Sequence, residues 1–206
     1  MVVIGITGPT GAGKTTALEV IRRRGGVVLD GDAVYHRLLR EDAGLRRDLE
    51  NRFGDLTGAD GGIDRKKLGA QVFADPAALA DLNAIAYPRI VAAVEGEIAR
   101  ARSAGYQLAA IDAVGLVESG LIRLCGATLA VTAPAAVRVK RIMTREGIPE
   151  DYAWARVKAQ PEDGFYARHC TVLLVNDCAG PEEFQLRVEQ ALDQLMNEKG
   201  GHFHES

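Results

Sequence analysis

The chain has 206 residues with 25 basic and 28 acidic side chains, and its formal net charge is −3. With 47% hydrophobic and 26% charged residues, its composition excludes disordered, collagen-like and coiled-coil chains. Because the balance is slightly acidic and provides no basic field, we expect no nucleic acid among its partners.

Cysteine usage and apolar patterning bear on the cellular setting. The cysteines Cys125, Cys170 and Cys178 show no C-x-x-C spacing, so neither a disulfide framework nor a zinc site is predicted. This usage fits a reducing cytoplasm. No basic leader precedes the apolar N-terminus, and no stretch approaches the ~20 apolar residues of a membrane span. We therefore expect a cytoplasmic protein without membrane contact.

Short apolar runs separated by helix-like sequence predict an α/β fold with a parallel sheet of about five strands. The first run, Val2 to Thr7, is typical of a strand buried on both faces. A helix from Lys14 to about Arg24 is expected next. The other predicted strands are Val27–Leu29, Leu108–Ile111, Thr128–Val131 and Val172–Val175.

Two helical segments interrupt this alternation. After the second strand, residues 55–87 are interpreted as a helical insertion, entered through the turn-rich segment 58–62. After the fourth strand, two charged helices flank the break Gly147-Ile148-Pro149 and are interpreted as part of a mobile lid over 135–165. The remaining core comprises 1–54 and 88–206. It ends in an amphipathic helix over about 181–196 and a polar tail.

A phosphate-binding motif follows the first predicted strand and begins the first predicted helix. The motif satisfies G-x-x-x-x-G-K-S/T in the context that a P-loop requires. Its backbone N–H groups would cradle phosphate oxygens, Lys14 would reach the β- and γ-phosphates, and the Thr15 hydroxyl would ligate Mg²⁺. The candidate nucleotide-binding residues are Gly8, Pro9, Thr10, Gly11, Ala12, Gly13, Lys14, Thr15 and Thr16.

Three carboxylates stand at predicted strand ends, where an open parallel sheet binds its ligands. Asp112 follows the third strand and resembles a Walker B acid that holds Mg²⁺. Asp30 or Asp32, after the second strand, is the candidate acceptor of a proton from a substrate hydroxyl. The alternative for Asp32 is a helix cap before Ala33. All three carboxylates are expected to converge near the phosphates.

Basic side chains line one face of the first lid helix. Arg138, Arg141 and Arg145 are spaced i, i+3 and i+7. Guanidinium groups on a closing lid stabilise the charge that spreads over a phosphoryl group in transfer. Arg141 is the preferred candidate, and a solvated basic face is the alternative, favoured for the other two arginines.

The chain resembles the bacterial dephospho-coenzyme A kinases over nearly its whole length. The shared features are the N-terminal P-loop, the D-x-D motif Asp30-Gly31-Asp32, and the insertion sequence IDRKKLGAQVFADP, which starts at Ile63. They continue through IAYPRI from Ile85, then Asp112, Glu118, the lid segment and Asn176. The insertion sequence is the most specific feature of the resemblance.

The resemblance implies a P-loop kinase fold and a defined reaction. The γ-phosphoryl group of ATP would pass, with Mg²⁺, to the ribose 3′-hydroxyl of dephospho-CoA. The acceptor would lie between the core and the insertion. By motif position, Asp32 would be the base, Arg141 a lid arginine on phosphate, and Asn176 part of the adenine pocket. The enzyme would be a monomer or a weak homo-oligomer, with ATP and dephospho-CoA as its partners.

Three positions depart from the family pattern. Tyr87 stands where histidine is usual, Val114–Val117 replaces a P-L-L-F segment, and Tyr166 lies near the position of a basic residue. These departures concern the acceptor side more than the nucleotide side. The alternatives are another small-molecule P-loop kinase, for a nucleoside or nucleotide, and a nucleotide-binding switch without transferase activity. An Asn-Lys-x-Asp guanine motif is missing after the P-loop, which disfavours a GTPase switch.

Overall fold

The computed structural model describes residues 1–58 and 61–200, with side chains up to Asn197. In this part of the chain a five-stranded parallel sheet has the order β2-β3-β1-β4-β5, which confirms the predicted α/β architecture. The strands are β1 (Val2–Thr7), β2 (Val27–Asp30), β3 (Leu108–Asp112), β4 (Ala127–Thr132) and β5 (Val172–Val175).

Helices cover both faces of the sheet. A single 3₁₀ turn, Leu121–Leu124, precedes β4. The helices of the described segments are α1 (Lys14–Arg23), α2 (Gly31–Glu41), α3 (Ala43–Phe53), α4 (Arg65–Val72), α5 (Pro76–Ser103), α6 (Ala135–Glu146), α7 (Glu150–Lys158), α8 (Asp163–His169) and α9 (Pro181–Gly200).

Successive strand residues supply two different cores, as the period of two in a strand requires. Ala109 and Ile111 of β3 face the core formed with α2 to α5. Leu108 and Ala110 face the core formed with α1 and α9. The central strands are thus buried on both faces, which explains their continuous apolar runs.

The insertion shares its longest helix with the core. Helix α5 continues through Pro88, so the expected boundary between residues 87 and 88 lies inside one helix. Thr57 and Ile63 form an isolated antiparallel bridge at the entry of the insertion. Ala59 and Asp60 of the predicted turn lie outside the described residues.

The expectation that no stretch approaches the length of an apolar membrane span is wrong. By length and composition alone, helix α5 is long and apolar enough to cross a membrane. Part of this apolar content packs against the rest of the protein. Ala86, Ile90 and Val94 belong to the core beneath the sheet. Arg89, in the same stretch, is ion-paired with Asp42 and Asp48.

The lid is a pair of helices with a small core of its own. Val139, Ile142, Ala153 and Val157 form that core between α6 and α7. Gly147 ends α6 in the left-handed conformation, with a φ of +64°. The predicted break is therefore the turn that joins the two lid helices. The last described element is α9, which runs to Gly200, so residues 197–200 of the predicted tail are helical. Residues 201–206 lie outside the described part.

Candidate active site

The P-loop joins β1 to α1 and depends on three glycines with positive φ. The φ angles are +137° at Gly8, +81° at Gly11 and +107° at Gly13, a region that other residues rarely adopt. A Cβ at Gly8 would overlap the carbonyl of Val131, and one at Gly13 would overlap the side-chain amide of Asn176. Both the conformation and the close approach therefore require the glycines of the motif.

A cavity of about 350 Å³, here called the phosphate cavity, lies against this loop. Lys14 enters it from the first turn of α1, and its Nζ donates to the carbonyl of Gly8 at 2.7 Å. Burial lowers the pKa of Lys14, while the nearby carboxylates of Asp112 and Asp32 oppose that shift. The lining residues are Pro9, Thr10, Gly11, Gly13, Lys14, Thr15, Asp112, Val114, Arg141 and Arg145.

Thr15 and Asp112 both line the phosphate cavity, and each carries side-chain oxygen. Thr15 is exposed at the start of α1, and Asp112 ends β3. Burial raises the pKa of Asp112, and Lys14 counteracts that shift. In the described residues, no group of three or more His, Cys, Asp or Glu could hold a metal ion. A hydroxyl and one carboxylate fit Mg²⁺, which keeps several waters and takes further ligands from phosphates.

The two aspartates of the D-x-D motif have different surroundings. Asp30 is the N-cap of α2, and its carboxylate accepts from the N–H of Ala33 at 2.9 Å. The helix cap considered for Asp32 is therefore formed by Asp30 instead. Asp32 lies in the first turn of α2 and lines a second cavity. The three carboxylates lie close enough to interact, because Asp30 and Asp32 add to the burial that raises the pKa of Asp112. Asp30 serves as a cap, whereas Asp112 and Asp32 line two cavities.

This second cavity, the insertion cavity, has a volume of about 210 Å³ and lies between the sheet and the helical insertion. Asp32 and Tyr35 reach it from one face of α2, at i and i+3. Burial, followed by the neighbouring charge of Asp30, raises the pKa of Asp32. The other lining residues are Gly31, Leu82, Asn83, Ala86, Tyr87, Ile90, Ala113, Gly115, Ser119 and Leu121.

Two of the lid arginines, Arg138 and Arg141, contact the P-loop directly. Arg138 is buried, with 6% of its surface exposed, so the solvated-face interpretation is wrong for this residue. Arg141 donates to the carbonyls of Gly11 and Ala12 at 3.2 and 3.1 Å and lines the phosphate cavity. Arg145 lines it too and pairs with Glu146.

Asn176 and Thr16 stand behind the phosphate cavity. The side chain of Asn176 is buried, donates to the carbonyl of Ala12 at 2.8 Å and accepts from Arg141 at 3.3 Å. It thereby fixes the P-loop backbone from behind. Thr16 is half-buried in the first turn of α1, and its N–H donates to the carbonyl of Gly13 at 3.1 Å.

The positions that depart from the family pattern are spread over the molecule. Tyr87 and Gly115 line the insertion cavity, and Val114 lines the phosphate cavity. Tyr166 is buried in α8, where burial raises its pKa to about 12, with the nearby carboxylate of Glu118 adding to the shift. Tyr166 therefore supplies a neutral phenol at physiological pH.

Sequence reasoning missed Tyr35, which lies in the insertion cavity beside Asp32. The available signal was its spacing of three residues after Asp32 on a helix.

Comparison with known proteins identifies the family. The family model for dephospho-CoA kinase matches residues 2–182. A dephospho-CoA kinase of Anaeromyxobacter dehalogenans is 36% identical over 202 residues, covering 97% of this chain and 95% of the relative.

Solved structures of other proteins share this fold. A protein of Thermus thermophilus has a TM-score of 0.76 at 31% identity, covering 96% of this chain and 97% of that one. A shikimate kinase of Acinetobacter baumannii shares the fold at 12% identity, with a TM-score of 0.51 and 94% of each chain covered. The expected P-loop kinase fold is confirmed, and the chain belongs to the dephospho-CoA kinase family.

Proposed function

We propose that the protein transfers the γ-phosphoryl group of ATP to the ribose 3′-hydroxyl of dephospho-CoA, giving coenzyme A and ADP. One observation carries this proposal beyond family membership. The phosphate cavity and the insertion cavity lie at the same edge of the sheet, with Asp112 lining the first and Asp32 the second. A phosphate donor and a hydroxyl acceptor can therefore meet between them.

The side chains of this edge suit an in-line phosphoryl transfer. Lys14 places a cation against the β- and γ-phosphates, where negative charge develops. Asp32 accepts the proton of the acceptor hydroxyl as its oxygen bonds to the γ-phosphorus. The bond between that phosphorus and the bridging oxygen breaks, and ADP leaves with the electron pair. Burial keeps the pKa of Asp32 above its usual range, which makes it a stronger base while it remains ionised.

Thr15 and Asp112 are the residues that would hold Mg²⁺. The ion supplies charge neutralisation on the β- and γ-phosphate oxygens when it is bound. Arg141 and Arg145 line the same cavity from the lid and add positive charge around the moving phosphoryl group. Asn176 supports the nucleotide side through its hydrogen bond to the P-loop carbonyl of Ala12.

The insertion offers room for the rest of a large acceptor. A groove of about 200 Å³ adjoins the insertion cavity and shares Tyr35 and Leu82 with it. Arg65 lines this groove and makes no ion pair with a carboxylate among residues 1–58 and 61–197. Phe73 also lines it and is 85% exposed. A cation beside an aromatic ring suits the diphosphate and the pantetheine arm of the acceptor.

A direct test is a coupled assay of ADP formation with ATP, Mg²⁺ and one acceptor at a time. Dephospho-CoA should give coenzyme A, whereas adenosine, AMP and pantetheine phosphate should give little or no phosphorylated product. Product from AMP with none from dephospho-CoA would assign the protein to nucleotide phosphorylation. The assay also tests the expected cofactor, because omission of Mg²⁺ should stop turnover. A monomeric or weakly associating protein in the cytoplasm, free of membrane and nucleic acid, remains our proposal.

A further inference from the structure

Both ends of the lid hairpin bind the same residue of the P-loop. Gln160, just after α7, accepts from the N–H of Thr10 at 3.0 Å and donates to its hydroxyl at 3.1 Å. Arg138, near the start of α6, donates from Nε to the carbonyl of Thr10 at 3.0 Å. Every polar group of Thr10 is therefore engaged by the lid.

The two lid residues also bind each other, which closes the arrangement. Arg138 donates from its terminal nitrogen to Oε1 of Gln160 at 2.6 Å. That oxygen thus accepts from both Arg138 and the N–H of Thr10. We call these three residues the Thr10 clamp.

The surroundings of Arg138 indicate more than an ordinary surface contact. The side chain is buried, yet both of its hydrogen-bond acceptors are neutral groups. Burial lowers its pKa, which reflects the cost of keeping this cation away from water. A buried guanidinium without a carboxylate in hydrogen-bond contact costs stability, so its retention calls for a compensating role.

The clamp sits where it can influence the phosphate cavity from two directions. On the P-loop side, Gly11 to Lys14 follow Thr10 directly. On the lid side, Arg141 and Arg145 lie on α6, the helix that also carries Arg138, and both line the phosphate cavity. Because the lid helices share their own core, their two ends are held together through it. A shift in the position of Thr10 would therefore displace both the P-loop and the lid arginines.

We infer that Gln160 and Arg138 are positioning residues, which fix Thr10 so that the P-loop and the lid arginines converge on one nucleotide. This inference rests on the proposed use of ATP. The N–H of Thr10 is occupied by Gln160, so the N–H groups for phosphate come from the residues that follow. Loss of the clamp should weaken nucleotide binding while leaving the insertion cavity intact.

Gln160→Leu removes the polar end of the side chain at similar size and provides the test. Losing part-buried hydrogen bonds costs about 1–3 kcal/mol, which corresponds to roughly 5- to 150-fold weaker binding of a non-hydrolysable ATP analogue. Titration calorimetry without acceptor measures that affinity. The KM for dephospho-CoA should change by less than about twofold, since the insertion cavity is untouched. Gln160→Leu with wild-type affinity for the analogue would overturn the inference.

Gln160→Glu separates positioning from simple packing. Its carboxylate still accepts from the N–H of Thr10 and from Arg138, and the Thr10 hydroxyl becomes the donor. We expect affinity within about threefold of wild type; equal impairment of the Leu and Glu variants would overturn the inference. Gln107→Leu is the matched control, because its exposed amide donates to the carbonyl of Gly105, away from both cavities.

Two further measurements keep the test decisive. If Gln160→Leu does not fold, Thr10→Val removes only the bond to the hydroxyl and should weaken the analogue by roughly two- to tenfold. Unchanged affinity of this variant would then refute the clamp. Binding is measured without acceptor, so failure of the wild type to phosphorylate dephospho-CoA would refute the proposed function and leave the clamp standing.

Discussion

Gly13 must be glycine for two reasons, its backbone conformation and the lack of space for a side chain. Its φ is +107°, and a Cβ would overlap the side-chain amide of Asn176. Gly25 has a φ of +76°, but no atom lies within 4 Å of the position that a Cβ would take. Comparing substitutions at these two glycines therefore distinguishes the effect of backbone strain from that of a steric clash.

Gly13→Ala should be much more damaging than Gly25→Ala. Both substitutions add strain of about 1–3 kcal/mol at a left-handed position. Only Gly13→Ala also displaces Asn176 and shifts the P-loop, and a misplacement of about 1 Å at a catalytic site can cost ~10²-fold in rate. Thermal unfolding and kcat/KM for ATP should be compared for both variants. Equal activity of the two would show that the approach of Asn176 does not matter.

Lys14→Ala should nearly abolish turnover while leaving the fold intact. Lys14 reaches the phosphate cavity and contacts the carbonyl of Gly8, so its loss removes a charge from the site of transfer. Removing one such contact typically costs ~10²- to 10³-fold in kcat. Lys140→Ala, on the exposed face of α6, is the control. A Lys14→Ala enzyme with near wild-type kcat would contradict the P-loop assignment.

Individual residues show where sequence patterns stop being informative. The P-loop was predictable because its glycines and lysine have one spacing and one physical use. The cap of α2 was not, since Asp30 and Asp32 both precede Ala33 closely and only the helix start decides between them. The burial of Arg138 was equally hidden, because its partner Gln160 lies 22 residues away.

Among the elements, α5 shows how tertiary contacts override a local signal. Pro88 interrupts the hydrogen bonding of a helix interior, and such residues often end helices. Here Arg89, the next residue, pairs with Asp42 at 3.0 Å and with Asp48 at 2.5 Å. Asp42 in turn caps α3 by accepting from the N–H of Leu45. These contacts tie α5, directly after the proline, to α3 and to its junction with α2, and the sequence alone offers no signal for them.

Arg89→Met should loosen the insertion more than the core. The substitution leaves two carboxylates close together without their cation, and we expect a loss of about 1–2 kcal/mol in the free energy of unfolding. That corresponds to roughly 2–8 °C in Tm for a chain of this size. The KM for dephospho-CoA should rise because Ala86, Tyr87 and Ile90 of the same helix line the insertion cavity. The KM for ATP should stay unchanged.

The chain offers a matched control for this prediction. Arg52 pairs with Asp81 at 2.6 Å and also links α3 to α5, but both side chains are nearly half exposed. Exposed pairs contribute little, so Arg52→Met should cost less than about 1 kcal/mol. If both variants lost the same stability, the lower exposure of the Arg89 cluster would not be its source of strength.

On the scale of the whole molecule, the strand order of the sheet places Asp112 and Asp32 at different positions, although each follows a strand in the sequence. Strand β3 lies between β2 and β1, so Asp112 ends a strand beside the P-loop strand. Asp32 starts the helix after the edge strand β2 and faces the insertion. Strand positions were predictable from apolar runs. The division into two cavities was not, because it depends on how α2 and α5 pack over the sheet.

Because the two aspartates line different cavities, their asparagine variants should fail in different ways. Asp32→Asn keeps the shape but cannot accept the hydroxyl proton, and losing a positioned base costs ~10²- to 10⁴-fold in rate. Its dependence on Mg²⁺ should stay that of the wild type. Asp112→Asn removes a carboxylate from the expected metal ligands, so its Mg²⁺ requirement should rise and excess Mg²⁺ should restore part of its activity. Measuring kcat against Mg²⁺ concentration for both variants distinguishes these outcomes. Rescue of Asp32→Asn by Mg²⁺, without rescue of Asp112→Asn, would require the two roles to be exchanged, and with them the placement of acceptor and metal across β3.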